Sequence, residues 1–123
     1  MADSAGQERR RERRINERCQ VAFRVVQEGS AGPKTVAGET MDLSASGLCL
    51  LAPIGVEPGA TLAIEVALEG HSELILAMGK VIWCNGEGPQ RHRMGVAFSW
   101  VREEDRSALD VIADFVQERL PEA

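Results

Sequence analysis

The sequence predicts an all-β sandwich or barrel followed by a single C-terminal amphipathic helix, and three observations carry that prediction. Apolar and polar residues alternate with a period of two in several short segments. Clusters rich in Gly, Pro, Ser and Asn separate those segments. After Glu103 the apolar period changes from two to that of a helix. A chain of 123 residues with 44% hydrophobic and 27% charged residues fits one soluble domain with a modest core. With no tyrosine and three phenylalanines, aliphatic residues must fill it.

Residues 1–12, MADSAGQERRRE, carry no apolar stripe and read as a flexible or partly helical tail; residues 13–120 read as the domain. In CQVAFRVV, Val21, Phe23 and Val25 alternate with Gln20, Ala22 and Arg24, as in a half-buried strand. The loop EGSAGPK follows. Five further strand-like segments come next: VAGETMDLS, GLCLLAP, TLAIEVALEG, LILAMGKVIWC and RMGVAFSW. Turns are expected at GVEPGA, EGHSE and NGEGPQRH. In the last segment Leu109, Ile112, Val116 and Leu120 recur at helical spacing with Ala113 and Phe115 flanking them, and Pro121 suits the exit. Such a helix would cover an open end or face of the sheet.

Several function classes find little support. No apolar run approaches the ~18–20 residues of a membrane span, so the expected location is the cytoplasm. Cys19, Cys49 and Cys84 are odd in number and widely spaced, and read as buried reduced thiols. His71 and His92 lie in polar, turn-like stretches and read as surface residues, which leaves no zinc or catalytic constellation and no cofactor motif. Trp83 and Trp100 fall at predicted strand ends and read as rim packing.

Charge is distributed unevenly. The formal net charge is −5, yet residues 1–24 hold seven arginines against four acidic groups, while the rest of the chain holds seven basic against fifteen acidic groups, a net −8. Positive charge is concentrated on an arm just before the first strand. Within it, RINER places Arg14 and Arg18 four residues apart, which an extended chain spans in up to roughly 13 Å. Two guanidiniums so spaced suit a clamp on phosphate oxygens or guanine edges; equally, they suit a solvated charge run. The second segment, DLSASG, pairs Asp42 and Ser44 with Gly47, which offers the positive φ that a sharp turn calls for. It reads either as a capped turn or as a set of acceptors for guanine N1 and N2 donors.

RxxxR before a first strand, a complete DxSxxG after it, GKVIWC, and RMGVAF before a final helix together resemble the PilZ domain family over roughly Arg10 to Val116. The resemblance implies a six-stranded antiparallel β-barrel capped by a C-terminal helix, a receptor that is not an enzyme and takes cyclic di-GMP. By motif position, Arg14 and Arg18 would grip guanine edges and phosphates, and Asp42, Ser44 and Gly47 would surround one guanine. The frames Arg9 with Arg13 and Arg10 with Arg14 also exist, but only Arg14 with Arg18 abuts the strand. The resemblance also implies that Arg13 stands where, in this family, an arginine accompanies binding of an intercalated nucleotide dimer. On this reading the arm lacks an apolar anchor, is mobile when free, and orders on the ligand to alter the surface seen by a downstream protein partner. The alternatives are an adaptor without nucleotide and a small barrel holding single-stranded nucleic acid. The acidic body and scarcity of aromatics argue against the second.

Overall fold

The structure is a computed structural model and describes residues 13–26, 34–99 and 103–120. The expected tail at 1–12, most of the loop after the first long strand, and Trp100 lie outside the described residues. The strands are β1 (Arg14–Ile15), β2 (Gln20–Val25), β3 (Val36–Ser44), β4 (Gly47–Ala52), β5 (Thr61–Ala67), β6 (Ile75–Gly86) and β7 (His92–Ser99), followed by the helix α1 (Glu103–Arg119). All pairings are antiparallel, in the order β1-β3-β2-β5-β6-β7-β4, and β3 also pairs with β4. That last pairing closes β2 to β7 into a six-stranded barrel and leaves β1 as an extra strand on the flank of β3.

Alternation places one face of each strand inside. Phe23, Leu43, Leu48, Leu50, Leu62, Ile64, Val66, Val81 and Met94 are all buried, and removing their apolar surface from water is the main driving term of the fold. Ile112, Phe115 and Val116 of α1 complete the core, with Leu109 and Leu120 half-buried beside them. The helix packs on β6, β3 and β1. Phe115, expected at the edge of the apolar stripe, is its centre at 1% exposure. The Arg119 guanidinium stacks over its ring at 3.6 Å from the centroid.

Two β-bulges break the period of two. One lies between Thr40 and Asp42, the other between Val81 and Trp83. The first lets both Thr40 and Leu43 face inward, although they are an odd number of residues apart. The Thr40 hydroxyl is satisfied there: it accepts from Cys19 N at 2.8 Å and donates to the Glu17 carbonyl. These bonds tie the segment between β1 and β2 down onto β3.

The arm itself departs from expectation from its thirteenth residue on. Ile15 is 8% exposed and belongs to the core cluster, and Arg14 and Ile15 pair with Ser44 and Leu43. An apolar anchor exists, a single isoleucine among arginines. Glu17 also lies 3.8 Å from Arg119, which links this segment to the end of α1.

Cys19 and Cys49 are buried as expected, whereas Cys84 is only half-buried. Pairing of β6 with β5 ends at Lys80, and toward its C-terminal end β6 has only β7 beside it. Burial pushes both the Cys19 and Cys49 thiols up; the Thr40 hydrogen bond opposes this at Cys19, and the Asp42 carboxylate adds to it at Cys49. An alkylating reagent is therefore expected to modify Cys84 first in the native protein and all three cysteines only in denaturant. A raised thiol means that folding favours the protonated form. The unfolded chain loses its thiol protons first, so this contribution is whole below the ordinary value of 9.0 and is lost as pH rises through the folded values. The denaturation midpoint should fall progressively above about pH 9; a midpoint that rises there contradicts the assignment.

Candidate functional site

Residues directly opposite one another in an antiparallel pair share a face of the sheet. Register therefore places rows of side chains across β3, β4, β7 and β6. Leu43, Leu48, Val96 and Val81 form an inward row, each at most 4% exposed. The neighbouring outward row is Asp42, Cys49, Gly95 and Trp83. Next to it, Glu39, Leu51, Arg93 and Asn85 form another. The middle of the first outward row is small, so the barrel surface is hollowed there between Asp42 at one end and an indole at the other.

The resulting trough has a volume of about 580 Å³ and is lined by Arg14, Asp42, Cys49, Trp83, Arg93 and Gly95 among others. That volume falls within the range of small-ligand sites, roughly 300–1,000 Å³. Trp83 lies against the backbone of β7: a Cβ on Gly95 would meet the indole Nε1 at 2.1 Å and Cε2 at 2.4 Å. Glycine at 95 is what permits the ring to lie so close. Trp83 is within β6 instead of at a strand end, and it is 39% exposed.

The two motif segments meet at the β3 end of the trough. Arg14 reaches it from β1, and its Nη1 donates to Asp42 Oδ1 at 2.6 Å. A carboxylate has about four acceptor positions on two oxygens, so this bond leaves capacity for further donors. Arg18 is held to the same strand three residues earlier, with Nη1 donating to Glu39 Oε1 at 2.8 Å. It does not line the trough. Arg13 is exposed immediately before β1. Each motif arginine thus pairs with a carboxylate of β3.

Ser44 caps the turn of its motif, whereas Gly47 serves it by close approach and not by a positive φ. Ser44 is 0% exposed, and its Oγ accepts from Gly47 N at 3.1 Å and from Ser46 N at 3.3 Å while donating to the Gly47 carbonyl at 3.2 Å. The hydroxyl is bonded within the β3–β4 turn, the capped-turn reading of the motif. Among the described residues the glycines with positive φ are Gly59, Gly70 and Gly88, and Gly47 is not one of them. Its requirement is close approach, since a Cβ there would lie 2.2 Å from the Val96 carbonyl oxygen. It still lines the trough.

Sequence reasoning missed the far wall, namely Trp83, Arg93 and Gly95. A signal existed in KVIW, where consecutive apolar residues break the alternation and Ile82 and Trp83 both emerge exposed after the bulge. Arg93 gave none, because a charged residue flanking a strand start is commonplace.

A family model described as PilZ domain matches residues 8–115. The chain belongs to the PilZ domain family. Its fold is similar to the PilZ domain of CeSA from a cellulose-synthesizing bacterium, with a TM-score of 0.64 at 19% identity over 85% of this chain and 98% of that one. It is similar also to the PilZ domain of YcgR from Escherichia coli solved with c-di-GMP, with a TM-score of 0.60 at 20% identity over 89% and 93%. The motility inhibitor MotI/DgrA of Bacillus subtilis matches with a TM-score of 0.65 at 15% identity over 86% of this chain and 48% of that chain. No curated protein matches the chain. Among the described residues no helix is long and apolar enough to cross a membrane.

Proposed function

We propose that this chain is a cyclic di-GMP receptor that binds the nucleotide in the trough and passes the event to a protein partner without bond chemistry. The observation that supports it is the Arg14–Asp42 pair at 2.6 Å, one residue from each half of the family motif, at the mouth of a hollow of suitable size. Guanidinium donors suit phosphate and the O6 and N7 edge of guanine, and a carboxylate suits its N1 and N2 donors. The Trp83 indole adds a flat face for a base or sugar. YcgR, solved with c-di-GMP, and MrkH of K. pneumonia, solved as a c-di-GMP complex, are family-fold neighbours that make this ligand the first to test.

The switch on this reading is an exchange of partners. Arg14 and Arg18 are already bound to Asp42 and Glu39 of β3 without ligand. The guanine edges and phosphates of the ligand compete for those guanidiniums, and the segment tied to Ile15, Glu17 and Arg119 feels the change. Calorimetric titration should give saturable micromolar binding of cyclic di-GMP and none of GTP or cyclic di-AMP. No heat at micromolar nucleotide ends the proposal. A steep loss of affinity with salt, together with indifference to the base, would indicate a polyanion site instead.

A further inference from the structure

Building on that reading, we propose that Arg93, which belongs to neither motif, is a further ligand-gripping guanidinium of the trough, held in reserve by Glu87. Among the described residues, Arg14 and Arg93 are the arginines that line the trough. They approach from different strands: Arg14 from the β3 side, Arg93 from β7, with β4 between. Strands lie about 4.8 Å apart, so β3 and β7 are separated by roughly 10 Å. A cyclic dinucleotide carries a phosphate on each side of its ring, and one cation at each border of the trough matches two separated anions better than two arginines on one arm.

The present partner of Arg93 is shared and poorly aligned. Glu87 lies 3.0 Å from Arg93 Nε through Oε2, yet that buried Nε has no properly directed acceptor; the Nη2 bond to Oε1 is long at 3.4 Å. The same carboxylate receives Arg91 Nε at 3.2 Å. One acid thus serves two arginines, leaving net positive charge on this border. The Arg93 side chain is 36% exposed, so it is reachable. Planar, bidentate donation to phosphate oxygens would replace the misaligned contact with aligned ones.

The test is a set of calorimetric titrations with cyclic di-GMP on the wild type, Arg93→Gln, Arg93→Lys, Glu87→Gln, Arg91→Gln and Arg14→Ala, each with its thermal midpoint recorded. Expected are at least tenfold weaker binding by Arg93→Gln, partial recovery by Arg93→Lys, and about threefold tighter binding by Glu87→Gln, which frees the guanidinium. Arg91→Gln, which also pairs with Glu87 but does not line the trough, should stay within twofold. Opposite signs at positions 93 and 87 separate ligand contact from a merely structural ion pair, whose two halves would weaken binding alike. Arg93→Gln within twofold of wild type, or Glu87→Gln as weak as Arg93→Gln, overturns the inference. Arg93→Lys covers the case in which Arg93→Gln does not fold. If the wild type itself fails to bind, the receptor reading has failed first; if Arg14→Ala loses binding while Arg93→Gln keeps it, only the inference on Arg93 has.

Discussion

Replacing Arg14 with alanine is expected to weaken cyclic di-GMP binding by roughly 10- to 150-fold, the range for losing charge-assisted hydrogen bonds worth about 1.5–3 kcal/mol. The free protein should barely notice. The Arg14–Asp42 pair is half exposed on the arginine side and 27% exposed on the aspartate side, and such pairs contribute below about 1 kcal/mol. Main-chain pairing of residues 14 and 15 with β3 and burial of Ile15 persist in the variant, so the segment keeps its course. Asp42→Asn is the informative companion. It removes the negative charge facing Arg14 without removing volume, and it changes the carboxylate proposed to face guanine N1 and N2 into an amide that offers one acceptor and two clashing donors. Both single variants should bind weakly, and the double variant should lose less than the sum, because the two residues touch. Full additivity would mean that they act at separate places, which the 2.6 Å contact does not allow.

Much of this architecture is legible in the sequence for a local reason. Val21 and Phe23 alternate with exposed neighbours because each strand is half-buried, and the turns at Gly59, Gly70 and Gly88 carry positive φ where glycine clusters mark them. The helix was readable through Leu109, Ile112 and Val116. What escaped depends on tertiary partners. A strand of two residues, Arg14–Ile15, has no period to detect, and Ile15 is buried only because β3 and α1 lie beside it. The bulge at Thr40 shows itself in the odd spacing of Thr40 and Leu43, a pattern that has meaning only once both are known to be inside. At the site, Arg14 and Asp42 were nameable from motif spacing, and they do meet. Ser44 was nameable, with a capped turn as one of its two readings, but its full burial was not, since a buried hydroxyl and an exposed one look the same in a string of letters. Trp83, Arg93 and Gly95 become a wall through cross-strand register, which no local window encodes.

Gly47 links the stability of the barrel to the shape of its trough, and Gly47→Ala should disturb both. A methyl group there meets the Val96 carbonyl oxygen at 2.2 Å and the Ala97 Cα at 3.3 Å. These are backbone atoms, and no side-chain rotation relieves them. The register pairs Gly47 with Ala97, and the next bond along the seam runs from Phe98 N to the Ser46 carbonyl at 2.8 Å. Relief requires β4 and β7 to separate, which loosens Leu48 and Val96 in the core beneath. Overpacking of this kind costs about 1–3 kcal/mol, corresponding to a thermal midpoint lower by roughly 5–15 °C for a domain of this size. Affinity should fall as well, since Gly47 and Ala97 both line the trough. Gly59→Ala is the contrasting case. Its φ is +96° and the space around it is open, so the cost there is backbone strain alone; Gly59 does not line the trough, and binding should be unaffected. Should Gly47→Ala prove as stable as the wild type and bind normally, then the close approach of β4 to β7 at this glycine is absent in solution. The motif glycine would then need another reason, and left-handed φ is not available as one.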